Sequence, residues 1–171
     1  VEGLESRKIA QGTADISAGP AMTKVQTERA LQIGRDCAAQ AAREGYHLIA
    51  TGEAGIGNTT TSSAMAAALL TKPAREVTGR GAGLNDEKLL HKTAVIEEAV
   101  ARNAPYTDAL DILRKLGGFD IAAMAGAFLG GAENGLPIVM DGFISSVAAL
   151  VASSICPAVR EYIIPSHMSS E

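Results

Sequence analysis

The run Gly52-Glu53-Ala54-Gly55-Ile56-Gly57-Asn58-Thr59-Thr60 mixes glycines with hydroxyl and carboxamide side chains, a combination suited to holding an anion. Gly55 and Gly57 let backbone come close to a ligand, and Asn58, Thr59 and Thr60 offer donors where a helix would begin. Unsatisfied N–H groups and the helix dipole favour a phosphate at that end. The run is not a Walker A motif, because no Lys-Ser/Thr pair follows its last glycine, nor the dinucleotide fingerprint G-x-G-x-x-G. Taken alone, it fits a tight turn with a polar helix cap as well as it fits a phosphate site.

Other residues could join the same chemistry. Gly79-Arg80-Gly81-Ala82-Gly83 is a second glycine-rich loop. Lys92 shares a helix face with Leu89 and Ile96, so its ammonium could reach from an apolar edge toward a phosphate, or be an ordinary solvated lysine. Asp141, directly after an apolar run, could accept hydrogen bonds from ribose hydroxyls or from its own loop. Glu53 invites the same two readings, with loop bracing favoured because a carboxylate beside a phosphate is electrostatically unwelcome. Ser166, His167 and Ser169 lack the G-x-S-x-G elbow a hydrolase of that type would need. His47, expected in a buried strand, and His91, beside Lys92, have no partner at metal-ligand spacing.

These residues need elements to hold them. After an irregular lead-in over 1–22, Thr23 can cap a helix that runs to Gly45, a residue suited to a left-handed helix end. Residues 46–50 are a short apolar run between glycines, which predicts a buried parallel strand. Helices are expected over 60–70, 85–103 (capped by Asn85, with Asp86 and Glu87 in its first turn), 108–116, 120–133 and 145–153. The helix over 120–133 is rich in small residues, which permit close packing. Further strands are expected at 76–78, 136–140 and 162–164. This alternation predicts an α/β fold with a Rossmann-like parallel sheet flanked by helices, whose ligands bind beyond the carboxyl ends of the strands. The loops after the first three predicted strands would then share one edge.

Bulk properties narrow the function. A chain of 171 residues is the length of one domain, and 47% hydrophobic content with no Trp suits helices packed on a sheet. A net charge of −4 without Lys/Arg runs argues against nucleic acid as a partner. Apolar stretches break well short of the roughly 20 residues that would span a bilayer. Cys37 and Cys156 lack CxxC or metal spacing, so they are expected as buried structural thiols of a cytoplasmic protein. The chain opens at Val1 without a signal-peptide pattern and is expected to be part of a longer gene product.

The sequence resembles the nicotinate-nucleotide:dimethylbenzimidazole phosphoribosyltransferases of cobalamin lower-ligand synthesis. The resemblance rests first on the run from Gly52 to Thr61. It continues, in the family's order, through Gly79-Arg80-Gly81-Ala82-Gly83-Leu84, Lys92, Gly117-Gly118-Phe119-Asp120-Ile121-Ala122, Asp141-Gly142-Phe143-Ile144-Ser145 and Pro165-Ser166-His167. It covers essentially the whole chain. The resemblance implies the large Rossmann-like domain of a homodimeric glycosyltransferase, with the small helical domain, built from both chain ends, mostly absent. It implies neither cofactor nor metal.

Carried over residue by residue, the family's phosphate-binding positions match Gly55, Gly57, Asn58, Thr59 and Lys92, and Glu53 matches another site residue. Ile56, Gly81, Asp141, Gly142 and Ser169 are expected to complete the substrate-binding set. The family's catalytic glutamate lies beyond the equivalent of Glu171, so no catalytic base is assigned here and Glu171 does not inherit the role. The reaction implied is attack of a base nitrogen on C1 of nicotinate mononucleotide, expelling neutral nicotinate and inverting the β-glycosidic bond to α. An anchored phosphate would hold C1 against the incoming nitrogen. On this reading the chain itself turns over little or nothing. The alternatives are a non-catalytic nucleotide-binding paralogue and a phosphoribosyltransferase using pyrophosphorylated ribose. The latter class needs an adjacent acidic pair and Mg²⁺, and no such segment appears.

Overall fold

Capping begins the first helix. Thr23 Oγ1 accepts from the Gln26 N–H at 3.2 Å and Gln26 Oε1 accepts from the Thr23 N–H at 2.9 Å, a reciprocal box that starts α1 (Lys24–Arg43) where the sequence placed it. Gly45 follows with φ +83°, the left-handed conformation expected of it. The computed structural model describes residues 4–81 and 83–167. Next come β1 (Ile49–Ala50), α2 (Asn58–Leu70), a 3-10 turn (Ala74–Glu76) and α3 (Asp86–Asn103). Then follow α4 (Ala109–Leu116), α5 (Phe119–Glu133), β2 (Ile138–Met140), α6 (Phe143–Ile155), a second 3-10 turn (Pro157–Tyr162) and β3 (Ile163–Pro165).

The fold is α/β: a parallel sheet of order β1-β2-β3 flanked by helices, with Ile49 opposite Ile138 and Ile138 opposite Ile163. Ile138 on the central strand is fully buried. The core around it takes Phe128, Ile121, Met65, Ile96, Leu113, Leu116 and Val151 from five helices. α5 lies against α1 at very short range. A Cβ on Gly34 would stand 1.8 Å from Ala123 O, and one on Gly126 would stand 2.0 Å from Leu31 O. The small residues of α5 do permit close packing, and α1 is what packs there.

Several expectations need correcting. The strand expected over 46–50 shrinks to Ile49–Ala50, because β1 has a described neighbour on one side only. Tyr46 and Leu48 are accordingly 59% and 49% exposed, and His47 is exposed rather than in a buried strand. No strand forms at 76–78. Pro73 leads into the 3-10 turn there, and Thr78 Oγ1 donates to Ala74 O at 2.6 Å, closing the segment on itself. Cys37 and Cys156 are both exposed; Cys37 stands one position off the buried Ala30, Gly34, Ala38 face of α1. The lead-in, whose role was not legible, is packed: Ile16, Ala21 and Met22 are buried, and the Ala21 and Met22 N–H groups donate to Lys115 O and Arg114 O. No helix among the described residues is long and apolar enough to cross a membrane.

Candidate functional site

The loop after β1 is fastened at its base. Thr51 N–H donates to Val139 O at 3.0 Å, its hydroxyl donates to the same oxygen at 3.1 Å, and the hydroxyl also pairs with Ser145 Oγ in the first turn of α6. The carboxyl ends of β1 and β2 and the start of α6 are thereby tied together, which positions the loop on the sheet edge where a parallel α/β fold binds its ligands.

From that base the chain rises to Glu53, whose Oε2 accepts from the Gly55 N–H at 2.7 Å and from Asn58 Nδ2. Glu53 therefore braces the loop. Asn58, only 8% exposed, also donates from Nδ2 to Asp120 Oδ2 at 2.8 Å, linking α2 to the first turn of α5. At Gly55 the φ is not positive, and a Cβ there would fall 2.3 Å from Asn58 Nδ2. Its missing side chain leaves room for Asn58. Gly57 does take the conformation that favours glycine, φ +82°, and opens α2 with no side-chain cap. Nothing lies within 4 Å of a Cβ built on Gly57, so its α-carbon faces open space at the start of α2. Ile56 beside it is fully exposed.

Across the α2 terminus stands Lys92. Asn85 caps α3 by accepting the Lys88 N–H at 2.9 Å, and Asp86 and Glu87 occupy the favourable first turn. The next turn places Lys92 on the buried face that also carries Ile96 and Ala99, so it is 8% exposed. Its Nζ donates to Gly79 O at 2.9 Å and to Thr59 Oγ1 at 3.2 Å. Gly81, at φ +53°, comes in so closely that a Cβ would stand 3.0 Å from Thr59 Oγ1. Both glycine-rich loops and the lysine therefore meet at the start of α2, although no strand precedes the second loop. A buried ammonium, a hydroxyl and a helix N-terminus together can hold an anionic group.

Asp141 and Gly142 sit at the end of β2, on the same edge. Asp141 is exposed, and Gly142 leads into α6 with His167 Nε2 3.8 Å from where its Cβ would be. The Ser166 N–H donates to Met140 O at 3.0 Å, and Ser166 Oγ lies 2.7 Å from His167 Nδ1, so the loop after β3 joins this edge too. Ser169 and Glu171 lie outside the described residues. Sequence reasoning missed Asp120 as a site residue, although it stands in the quoted Gly117-Gly118-Phe119-Asp120 run. It also missed the Thr51–Ser145 pair and the lead-in. A groove of about 350 Å³ is lined by 55–58, by Gly118, Phe119 and Asp120, and by Gly12 and Thr13 of the lead-in.

Comparison with known proteins bears on the family and the fold. The family model DBI_PRT, described as "Phosphoribosyltransferase", matches residues 1–171. A nicotinate-nucleotide--dimethylbenzimidazole phosphoribosyltransferase of Roseiflexus sp. (strain RS-1) is 49% identical over 169 residues, which is 98% of this chain and 48% of that protein. The enzyme of the same name from Geobacter sulfurreducens is 49% identical over 170 residues, covering 99% and 48%. The crystal structure of CobT from Thermus thermophilus superposes with a TM-score of 0.93 at 42% identity, covering 98% of this chain and 50% of that one. The chain spans about half the length of the curated relatives it matches.

Proposed function

The chain belongs to this phosphoribosyltransferase family, and from that membership we propose that the complete protein is a pentosyltransferase acting on nicotinate mononucleotide. It moves ribose 5-phosphate to 5,6-dimethylbenzimidazole or a similar base, giving the α-ribazole 5′-phosphate and nicotinate. Residues 1–171 are its nucleotide-binding α/β domain. The relatives' names support the reaction. On the same reading the complete protein is a cytoplasmic homodimer, and its general base comes from outside this chain.

The observation that carries the reading is the convergence on the α2 terminus: the Nζ of Lys92, a buried residue, lies 3.2 Å from Thr59 Oγ1 and 2.9 Å from Gly79 O. The lysine's charge stands where a helix N-terminus also favours an anion. The ribose 5-phosphate group fits that position, with Gly57, Thr59, Gly81 and Lys92 around the phosphate. Glu53 and Gly55 act by shaping the loop, and the exposed Ile56 is left at its solvent side. Asp141, Gly142 and Ser169 take the sugar and its aglycone at the neighbouring strand end.

The chemistry asks little of an acid catalyst, because nicotinate leaves a cationic pyridinium as a neutral ring. What it asks for is alignment. Binding energy spent on the remote phosphate holds C1 against the incoming nitrogen while positive charge develops on the sugar. Calorimetric titration of the chain with nicotinate mononucleotide, beside nicotinic acid and inorganic phosphate, tests this. The nucleotide is expected to bind more tightly than inorganic phosphate or nicotinic acid, and to weaken about 10- to 100-fold in Lys92→Ala, the range for hydrogen bonds to a charged group. A folded chain that ignores the nucleotide, or binds it equally well without Lys92, overturns the reading.

A further inference from the structure

The hydrogen bonds of Asn58 assign a role to a residue that the family resemblance left unassigned. Its single amide nitrogen donates to Asp120 Oδ2 at 2.8 Å and to Glu53 Oε2, so both amide hydrogens go to carboxylates, from two different elements. That settles which way the amide faces. Turned over, Asn58 Oδ1 would confront two carboxylate oxygens and repel both. The pair is also given room by glycine on each side. A Cβ on Gly55 would stand 2.3 Å from Asn58 Nδ2 and 2.9 Å from Asp120 Oδ2, and a Cβ on Gly118 would stand 2.5 Å from Asp120 Oδ1. Asp120 lies in the first turn of α5, where the helix dipole favours its charge, and it borders the groove that Gly55, Gly57 and Asn58 also line.

Resting on the nucleotide reading above, we propose that Asp120 is a positioning residue: it holds the Asn58 amide between two carboxylates and so aims the first turn of α2 at the bound nucleotide. One consequence is chemical. With both hydrogens committed, Asn58 has only Oδ1 left, an acceptor. It therefore takes a donor from the ligand, a ribose hydroxyl, and not the phosphate oxygen that its place in the loop suggested. Glu53 and Asp120 together make Asn58 a reader of the sugar, while Lys92 and Thr59 hold the phosphate.

The test uses this chain with Asp120→Ala, Asp120→Asn, Asn58→Ala and the Asp120→Ala/Asn58→Ala double variant. Each is titrated with nicotinate mononucleotide and with inorganic phosphate, and the Asn58 side-chain amide is followed by NMR. Asp120→Ala is expected to weaken nucleotide binding about 10-fold while leaving phosphate within about 2-fold, one charge-assisted hydrogen bond's worth. Asp120→Asn, which keeps an acceptor, restores most of the loss. In the Asn58→Ala background the further loss of Asp120 changes nothing, as coupling through one contact requires. The Asn58 amide signals, ordered in the parent, become mobile in Asp120→Ala. Losses that add in the double variant, or that strike phosphate and nucleotide equally, overturn the positioning role. An Asn58 amide that stays ordered without Asp120 overturns the clamp and leaves the function reading standing. A parent chain that takes phosphate but no nucleotide overturns the function reading, and this role falls with it.

Discussion

Lys92 Nζ and Thr59 Oγ1, 33 positions apart in the chain, lie 3.2 Å from each other at the first turn of α2. The contact joins α3 to the start of α2, and it aligns a cation, a hydroxyl and a helix N-terminus on one point. Thr59 can be tested apart from the lysine. Thr59→Val keeps the side chain's shape and removes the oxygen that Lys92 donates to, while Gly79 O still accepts from Nζ at 2.9 Å. The expected result is nicotinate mononucleotide binding weaker by roughly 3- to 10-fold, with the melting temperature within about 4 °C of the parent. Calorimetry and a thermal melt read both. Unchanged affinity would remove Thr59 from the anion site.

The packing of α1 on α5 predicts a sharp cost at Gly34. An alanine Cβ there would stand 1.8 Å from Ala123 O and 2.5 Å from Ala127 N, and because both obstacles are backbone, the helices themselves must part. Overpacking of this kind costs about 1–3 kcal/mol or more, so Gly34→Ala should lower the melting temperature by roughly 5–10 °C. Gly19→Ala is the control: nothing lies within 4 Å of its Cβ position and its φ is not positive. It should melt within about 2 °C of the parent. Equal melting of the two variants would refute the close helix contact.

Helices were more legible in this sequence than strands, for physical reasons visible at single residues. Thr23 and Asn85 each cap a helix through the side-chain oxygen that their type suggested, and Asp108, expected only as the first residue of a helix, caps α4 in the same way. The strands depend on neighbours. At 46–48 the described residues provide no partner on the outer side, and at 76–78 a local turn takes the Glu76-Val77-Thr78 segment that was expected as a strand. At the candidate site, the residues singled out in the two glycine-rich loops and Lys92 do come together at the start of α2. The site was not legible at Asp120, because an acidic residue in a helix's first turn is already explained by the dipole, and its contact with Asn58 spans 62 positions. Gly55 was read as a place where backbone meets a ligand, and nothing in the sequence signalled that its missing side chain also makes room for the Asn58 amide 2.3 Å from its Cβ position.

Asp111 supplies a pH-dependent part of stability whose sign can be worked out. Burial alone raises its carboxyl. The hydrogen bonds from Lys115 at 2.8 Å and Arg114 at 2.7 Å, with the Thr107 N–H, more than offset that and hold it below the usual carboxylate range. Tyr106 nearby does not confuse the measurement: burial first, and Asp111 second, push its phenol up to about 12, so it stays neutral. A depressed carboxyl binds fewer protons in the folded state than in the unfolded one. Its contribution is therefore complete above the ordinary carboxylate value of about 3.9 and disappears as pH falls through its lower folded value. Asp111→Asn should then be less stable than the parent by about 1–3 kcal/mol at pH 7, the range for hydrogen bonds to a charged group. The gap should hold down to about pH 5 and narrow below about pH 4, where the protonated parent comes to resemble its amide variant. Urea unfolding of both proteins across that range measures the gap directly. A difference that stays constant into acid would mean that Asp111 holds α4 by shape and neutral hydrogen bonding, and that its charge contributes nothing.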